Sequence, residues 1–169
     1  MKRAKWIAMA SLAVTALVPV VVTEVALSFI LLIGAGGIGC PAIQYLAAAG
    51  VGTLTVIDDD EVALSNLQRQ VLYGEQDIGN AKVYAAQNAA QKLNPDVNFI
   101  PIRQRLTENQ GINLEGVDVV LDGSDNFTTR LLVNDLCCAA KVPLVSAAIG
   151  QFHGQMGTRS EEHTSELQS

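Results

Sequence analysis

Residues 29–39 read FILLIGAGGIG. A short apolar run that ends in glycines is the pattern of a strand buried on both faces of a parallel sheet. Gly34, Gly36 and Gly39 have the GxGxxG spacing, which acquires meaning only between a strand and a helix. The helix is supplied by residues 38–49, IGCPAIQYLAAA, where Pro41 is tolerable in the first turn and Gly50 is a stop. Without side chains, such a loop turns tightly and lets backbone N–H groups approach a phosphate at the positive end of the helix.

Working outward, TLTVID at 53–58 is a second strand, and Asp58 stands 19 positions after Gly39, where a carboxylate accepts hydrogen bonds from ribose hydroxyls. A glycine-rich packing turn would explain the glycines but not Asp58. Asn80 is the expected cap of a helix over 81–93, AKVYAAQNAAQKL, which Asn94-Pro95 ends. VNFIPIRQRL (97–106) and VDVVLDGS (117–124) read as third and fourth strands, residues 128–140 as a helix, and PLVSAAIG (143–150) as a fifth strand. Strands alternating with helices imply crossover connections, hence an α/β fold: a Rossmann-like, open, mainly parallel sheet with helices on both faces.

Composition agrees with one such domain. The 169 residues are 49% apolar and 17% charged, enough for a core. A net charge of -6 with 11 Lys and Arg excludes a general nucleic-acid surface, so phosphate contacts must be local. Cys40, Cys137 and Cys138 form no CxxC pair; they read as buried thiols of a reducing compartment, not a zinc site or disulfide framework.

The glycine loop and Asp58 alone fit an NAD-dependent oxidoreductase. Three further features point elsewhere. SNLQRQ at 65–70 offers Arg69 as a fork of donors for phosphate oxygens, with Asn66 and Gln70 as neutral partners. Lys82 falls in the first turn of a helix, where the dipole disfavours a cation unless an anion lies nearby. Asp125 in DGSDN (122–126) follows a strand at the ligand-binding edge of the sheet and suits a hard cation such as Mg2+, although Asp125-Asn126 also reads as a helix cap. Together these are the parts that neutralise a triphosphate while its α-phosphorus is attacked.

At this point the sequence resembles the ThiF/MoeB/HesA adenylyltransferases, relatives of the ubiquitin-activating enzymes. The resemblance rests on residues 30–73, DIGNAKVYAA, LNPDV, VDVVLDGSDNFTTR and PLVSAAIGQFHGQMGT, and covers Ile30 to Thr158. It implies use of ATP and Mg2+ to adenylate the C-terminal glycine carboxylate of a ubiquitin-like sulfur-carrier protein, in a thiamine, molybdopterin or other sulfur route. By the same resemblance Gly37 and Asp58 hold the adenosine part, and Asn66, Arg69 and Lys82 line the phosphates. Ser65, Leu67 and Gln68 fall in the ATP-contacting run. Asp125 binds magnesium with Asn126 beside it, and Arg130 is a further candidate for orienting Asp125 or the carrier tail. Arg69, Lys82 and Asp125 are the expected catalytic residues. The family resemblance also implies a homodimer, and the need for ATP with a reduced thiol pool implies the cytoplasm.

The ends depart from this pattern. Residues 1–28, basic and then apolar with Pro19 and Glu24, have the layout of a signal or membrane anchor, or of an artefactual join. Membrane association or export is expected only if that leader is genuine. Residues 159–169, RSEEHTSELQS, resemble the in-frame translation of a sequencing-adapter oligonucleotide. The family's amino-terminal arginine motif, crossover loop and zinc-binding CxxC pairs are not found, so the chain is expected to be a fragment with weak or absent activity; a nucleotide-binding module without turnover is the alternative.

Overall fold

The computed structural model describes residues 29–107, 111–149 and 154–159. The leader at 1–28 and residues 160–169 of the terminal segment lie outside the described residues. Five parallel strands form the sheet: β1 (Phe29–Ile33), β2 (Thr53–Ile57), β3 (Asn98–Ile102), β4 (Val119–Asp122) and β5 (Leu144–Ile149), joined at one edge by the antiparallel β6 (Gly154–Arg159). Three helices connect them, α1 (Gly39–Ala49), α2 (Lys82–Leu93) and α3 (Phe127–Ala140). The order β3-β2-β1-β4-β5-β6 places β1 at the centre, and the chain reverses direction across the sheet between β1 and β4. That reversal leaves a crevice at the carboxyl ends of the two strands, where ligands of such sheets sit.

The alternation of side chains along a strand explains why β1 has no polar residue. Ile30 and Leu32 enter one core with Ile43, Leu46 and Ala47 of α1 and Val83 and Ala86 of α2, whereas Leu31 and Ile33 enter a second core with Val133 and Cys137 of α3. Both faces of the sheet are therefore covered, as the continuous apolar run requires. Among the described residues, no helix is long and apolar enough to cross a membrane.

Several expectations change in detail. Asn80 does not cap α2; Ala81 stands at that position in extended conformation and offers no side-chain bond. The Lys82 N–H donates instead to the Asp60 carbonyl at 2.9 Å. The third strand ends at Ile102 rather than running to residue 106. It is an edge strand paired only with β2, so Pro101 costs it no needed donor, and Arg103 beyond it pairs with Glu61 at 2.7 Å. Cys40 and Cys137 are buried thiols, but Cys138 is exposed on α3. Arg159 ends β6 and its guanidinium donates to Asn134 Oδ1, so the strand reaches one residue into the segment set apart by its sequence.

The contact between β1 and α1 is closest at Gly39. A Cβ there would lie 1.9 Å from the Gly34 carbonyl oxygen, a backbone atom that cannot swing aside. Gly39→Ala is expected to destabilise the fold by about 2–3 kcal/mol, as overpacking does, read as a lowered urea midpoint at unchanged m-value.

Candidate functional site

The glycine loop leaves β1 with Gly34 at φ +90°, a conformation that favours glycine. A Cβ at Gly34 would also come within 3.1 Å of the Gly123 carbonyl group, so the loops after β1 and β4 touch backbone to backbone. The next peptide is held from three directions. Ala35 N–H donates to Asp58 Oδ2 at 2.7 Å, and its carbonyl accepts from the Tyr73 hydroxyl at 2.8 Å and the Cys40 thiol at 3.3 Å. Beyond this anchor, the N–H groups of Gly36, Gly37 and Ile38 make no hydrogen bond within the described residues. A Cβ on Gly37 would meet nothing within 4 Å. Unpaired donors in open space at the start of a helix are suited to an anion.

Asp58 stands just past β2 with both carboxylate oxygens engaged, Oδ2 by Ala35 and Oδ1 by Asp60 N–H at 2.8 Å. Burial raises its pKa above the ordinary 3.8, and the two backbone donors and Lys82 only partly offset that. Burial likewise pushes the Cys40 thiol up to about 12 and raises Tyr73. Both remain protonated donors to Ala35 at neutral pH.

Lys82 has the anion that its place in the helix demands. It is 4% exposed, and its Nζ lies 2.6 Å from Asp60 Oδ2. The carboxylate oxygens of Asp58, Asp59 and Asp60 lie within 4.8 Å of one another, but Asp58 is committed to backbone donors and Asp60 to Lys82, which leaves them poor cation ligands.

SNLQRQ forms a 3-10 turn over Leu64–Asn66 and the bends that follow. Asn66 Oδ1 accepts from Ala63 N–H at 3.1 Å, and Leu67 packs against the α1/α2 core. Gln68 Nε2 and Arg69 Nη1 both donate to the Ser65 carbonyl, at 3.3 and 3.0 Å. Ser65, Gln68 and Arg69 are exposed. Gln70 is 3% exposed and faces the glycine loop, its Nε2 3.8 Å from where a Gly36 methyl would stand.

The DGSDN loop is braced from below. Asp122, 2% exposed, accepts from Ser124 N–H at 3.0 Å, from Ser124 Oγ at 2.7 Å and from Ser146 Oγ at 3.0 Å. Arg130 reaches back from α3, with Nε and Nη2 donating to the Ser124 carbonyl at 3.0 and 2.6 Å and Nη2 also to Ala147 O at 2.6 Å. Asp125 at the tip is exposed and its carboxylate makes no hydrogen bond among the described residues, which suits a hard cation. Asn126 caps α3, accepting from Thr128 N–H at 2.9 Å. A cavity of about 390 Å³ adjoins it, lined by Arg105, Leu106, Thr107, Thr128, Thr129 and Leu132.

The structure thus brings Gly34, Gly36, Gly37, Gly39, Asp58 and Lys82 to the carboxyl end of β1 and β2, and Asp125 and Asn126 to that of β4. Sequence reasoning missed Tyr73, Asp60, Asp122 and Ser146. Only Asp60, within an acidic run that precedes a misplaced lysine, carried a signal that pairing of charges would have caught.

A profile of the ThiF family matches residues 13–169. The chain is 50% identical over 132 residues to the SAMP-activating enzyme E1 of Haloferax volcanii, covering 78% of this chain and 49% of that protein. It is 47% identical over 130 residues to the sulfur carrier protein ThiS adenylyltransferase of Escherichia coli, covering 76% of this chain and 52% of that protein. Its fold is similar to that of E. coli MccB solved with AMPCPP and MccA, with a TM-score of 0.66 and 30% identity over 77% of this chain and 40% of the other. The chain spans about half the length of these curated relatives.

Because the folded protein raises the pKa of Asp58, it holds that proton more tightly than the unfolded chain. The stabilising contribution of the protonated form is complete below 3.8 and is lost as pH rises through the folded value. Asp58→Asn, which cannot ionise, is expected to remove this decline, measured as the pH dependence of the urea midpoint above 3.8 against the parent chain.

Proposed function

The chain belongs to the ThiF family, and from that premise we propose that it is the nucleotide-binding part of an ATP-dependent adenylyltransferase acting on the C-terminal glycine carboxylate of a ubiquitin-like sulfur carrier. The observation that carries the proposal is the row of N–H groups at Gly36, Gly37 and Ile38, unpaired among the described residues, on the same edge of the sheet as Asp58 and the exposed Asp125. Two relatives support it by name, an E. coli adenylyltransferase of the sulfur carrier ThiS and a fold relative solved with AMPCPP.

In this reading Asp58 accepts from the ribose hydroxyls, and the glycine loop with Asn66 receives the phosphates through N–H donors. Ser65, Leu67 and Gln68 form the adjoining wall, in part through their backbone. The cavity beside Asn126, with Leu106 and Leu132 in its lining, offers apolar surface to a flat base. Arg69 exchanges its bond to the Ser65 carbonyl for a phosphate oxygen, and Lys82 places a fixed charge beside Asp60 at the same edge. Magnesium, held by Asp125, would neutralise part of the triphosphate charge when bound. The carrier carboxylate attacks the α-phosphorus, a new C(O)–O–P bond forms, the α–β phosphoanhydride breaks, and pyrophosphate leaves with the bonding electrons. No protein nucleophile is required; the residues contribute position and charge. Such a reaction belongs in the cytoplasm, where ATP is available, and in a homodimer whose partner completes the site.

Carrier-dependent exchange of labelled pyrophosphate into ATP, in a full-length member with these residues, tests the reaction. The residue equivalent to Arg69 changed to alanine is expected to lower exchange about 100-fold or more without lowering Tm. For the 169-residue chain, ATP binding is expected in equilibrium dialysis; binding of NADH but not ATP would sink the proposal.

A further inference from the structure

Gln70 is an unusual residue for the floor of a loop. It is 3% exposed, and its side-chain Oε1 is buried with no hydrogen-bond partner among the described residues. A buried carbonyl without a donor costs on the order of 1–3 kcal/mol, whereas an apolar group of the same shape would cost nothing. Thr55 Oγ1 is also buried and unpaired, but it lies within β2 between Leu31 and Ile100 in register. Gln70 instead stands against the loop, its other end toward Gly36, beside N–H groups that have no partner among the described residues.

Its position is well determined. Gln70 N–H donates to the Asn66 carbonyl at 2.9 Å, and its own carbonyl accepts from Tyr73 N–H at 3.2 Å. Tyr73 in turn holds Ala35 through its hydroxyl. The backbone of the SNLQRQ turn and the backbone of the glycine loop are therefore tied together on either side of the Gln70 carboxamide. An apolar side chain of the same shape would fill this space without leaving a carbonyl unpaired, so the amide is costly for packing alone.

We propose that Gln70 completes the anion site of the glycine loop, with Nε2 donating to a phosphate oxygen of the nucleotide alongside the N–H groups of Gly36 and Gly37. The inference rests on the nucleotide reading above and adds a phosphate-positioning residue inside the fold, distinct from the exposed Arg69. Rigid placement matters because a donor whose orientation is already fixed loses little freedom when phosphate arrives. The unpaired Oε1 is the stability cost of that placement, a trade of stability for binding of the kind found at functional sites.

The test is Gln70→Met in the 169-residue chain, with affinities for ATP and for adenosine and the nucleotide-free Tm measured side by side. The expected result is ATP affinity weaker by about tenfold or more, the value of a hydrogen bond to a charged group. Adenosine affinity should be unchanged, and Tm unchanged or raised because the unpaired carbonyl is gone. Gln70→Glu, which keeps the shape and sets a carboxylate against the phosphate, should weaken ATP further. Undiminished ATP affinity in Gln70→Met overturns the proposal while leaving the nucleotide reading intact. Equal losses for ATP and adenosine with a lowered Tm also overturn it, since that is a structural role. Failure of the parent chain to bind ATP removes both.

Discussion

The site depends on a contact that no side chain can enter, the packing of the Gly39 Cα against the Gly34 carbonyl. It brings the first turn of α1 directly onto the end of β1. Between them lie the N–H groups of Gly36, Gly37 and Ile38, which make no hydrogen bond among the described residues. A methyl group at Gly39 would separate helix from strand, and the donors would spread. Gly34 makes the companion contact with Gly123, so the loops after β1 and β4 share one edge of the crevice. The glycines act less as flexible residues than as the means of close approach.

Polar side chains complete what close packing begins. Ala35 is fixed by Asp58, Tyr73 and Cys40, three donors or acceptors from three parts of the chain. Burial of Asp58 raises the cost of its charge, and Lys82 lies near enough to offset part of it. Lys82 is itself held by Asp60. The DGSDN loop has a parallel arrangement, with Asp122 and Arg130 gripping Ser124 from opposite sides. In both places, buried or half-buried groups hold a loop still while the residues at its tip remain exposed. This is the division of labour expected where a rigid scaffold presents binding groups.

The fold was legible because its signals are local and repeated. The apolar run at 29–33, the glycines after it and the alternation of strand and helix each follow from periodicity or backbone freedom. Element ends were less legible. Asn80 had the right chemistry for a cap, yet the chain enters α2 at Ala81 because Val62 and Asp60 accept the N–H groups of Gly79 and Lys82. Backbone pairing across the loop replaced the side-chain cap. The third strand was read too long because Arg103, Gln104 and Arg105 follow Ile102 without a turn residue, although the sheet pairing stops at Ile102.

By itself the sequence determined the parallel sheet, the glycine loop and the carboxylate at the end of β2, since these depend on side-chain period, on the absence of side chains and on position along the chain. It also announced, through a lysine at the wrong end of a helix, that an anion must be close. Tertiary structure alone decided which anion, because Asp60 and Lys82 meet across a loop and not along an element. It alone decided that Tyr73, Asp122 and Ser146 belong to the site, and that Gln70 lies buried beneath the loop while its neighbour Arg69 lies exposed. Burial and partnership of polar groups are properties of the packed chain, and no local pattern of residues contains them.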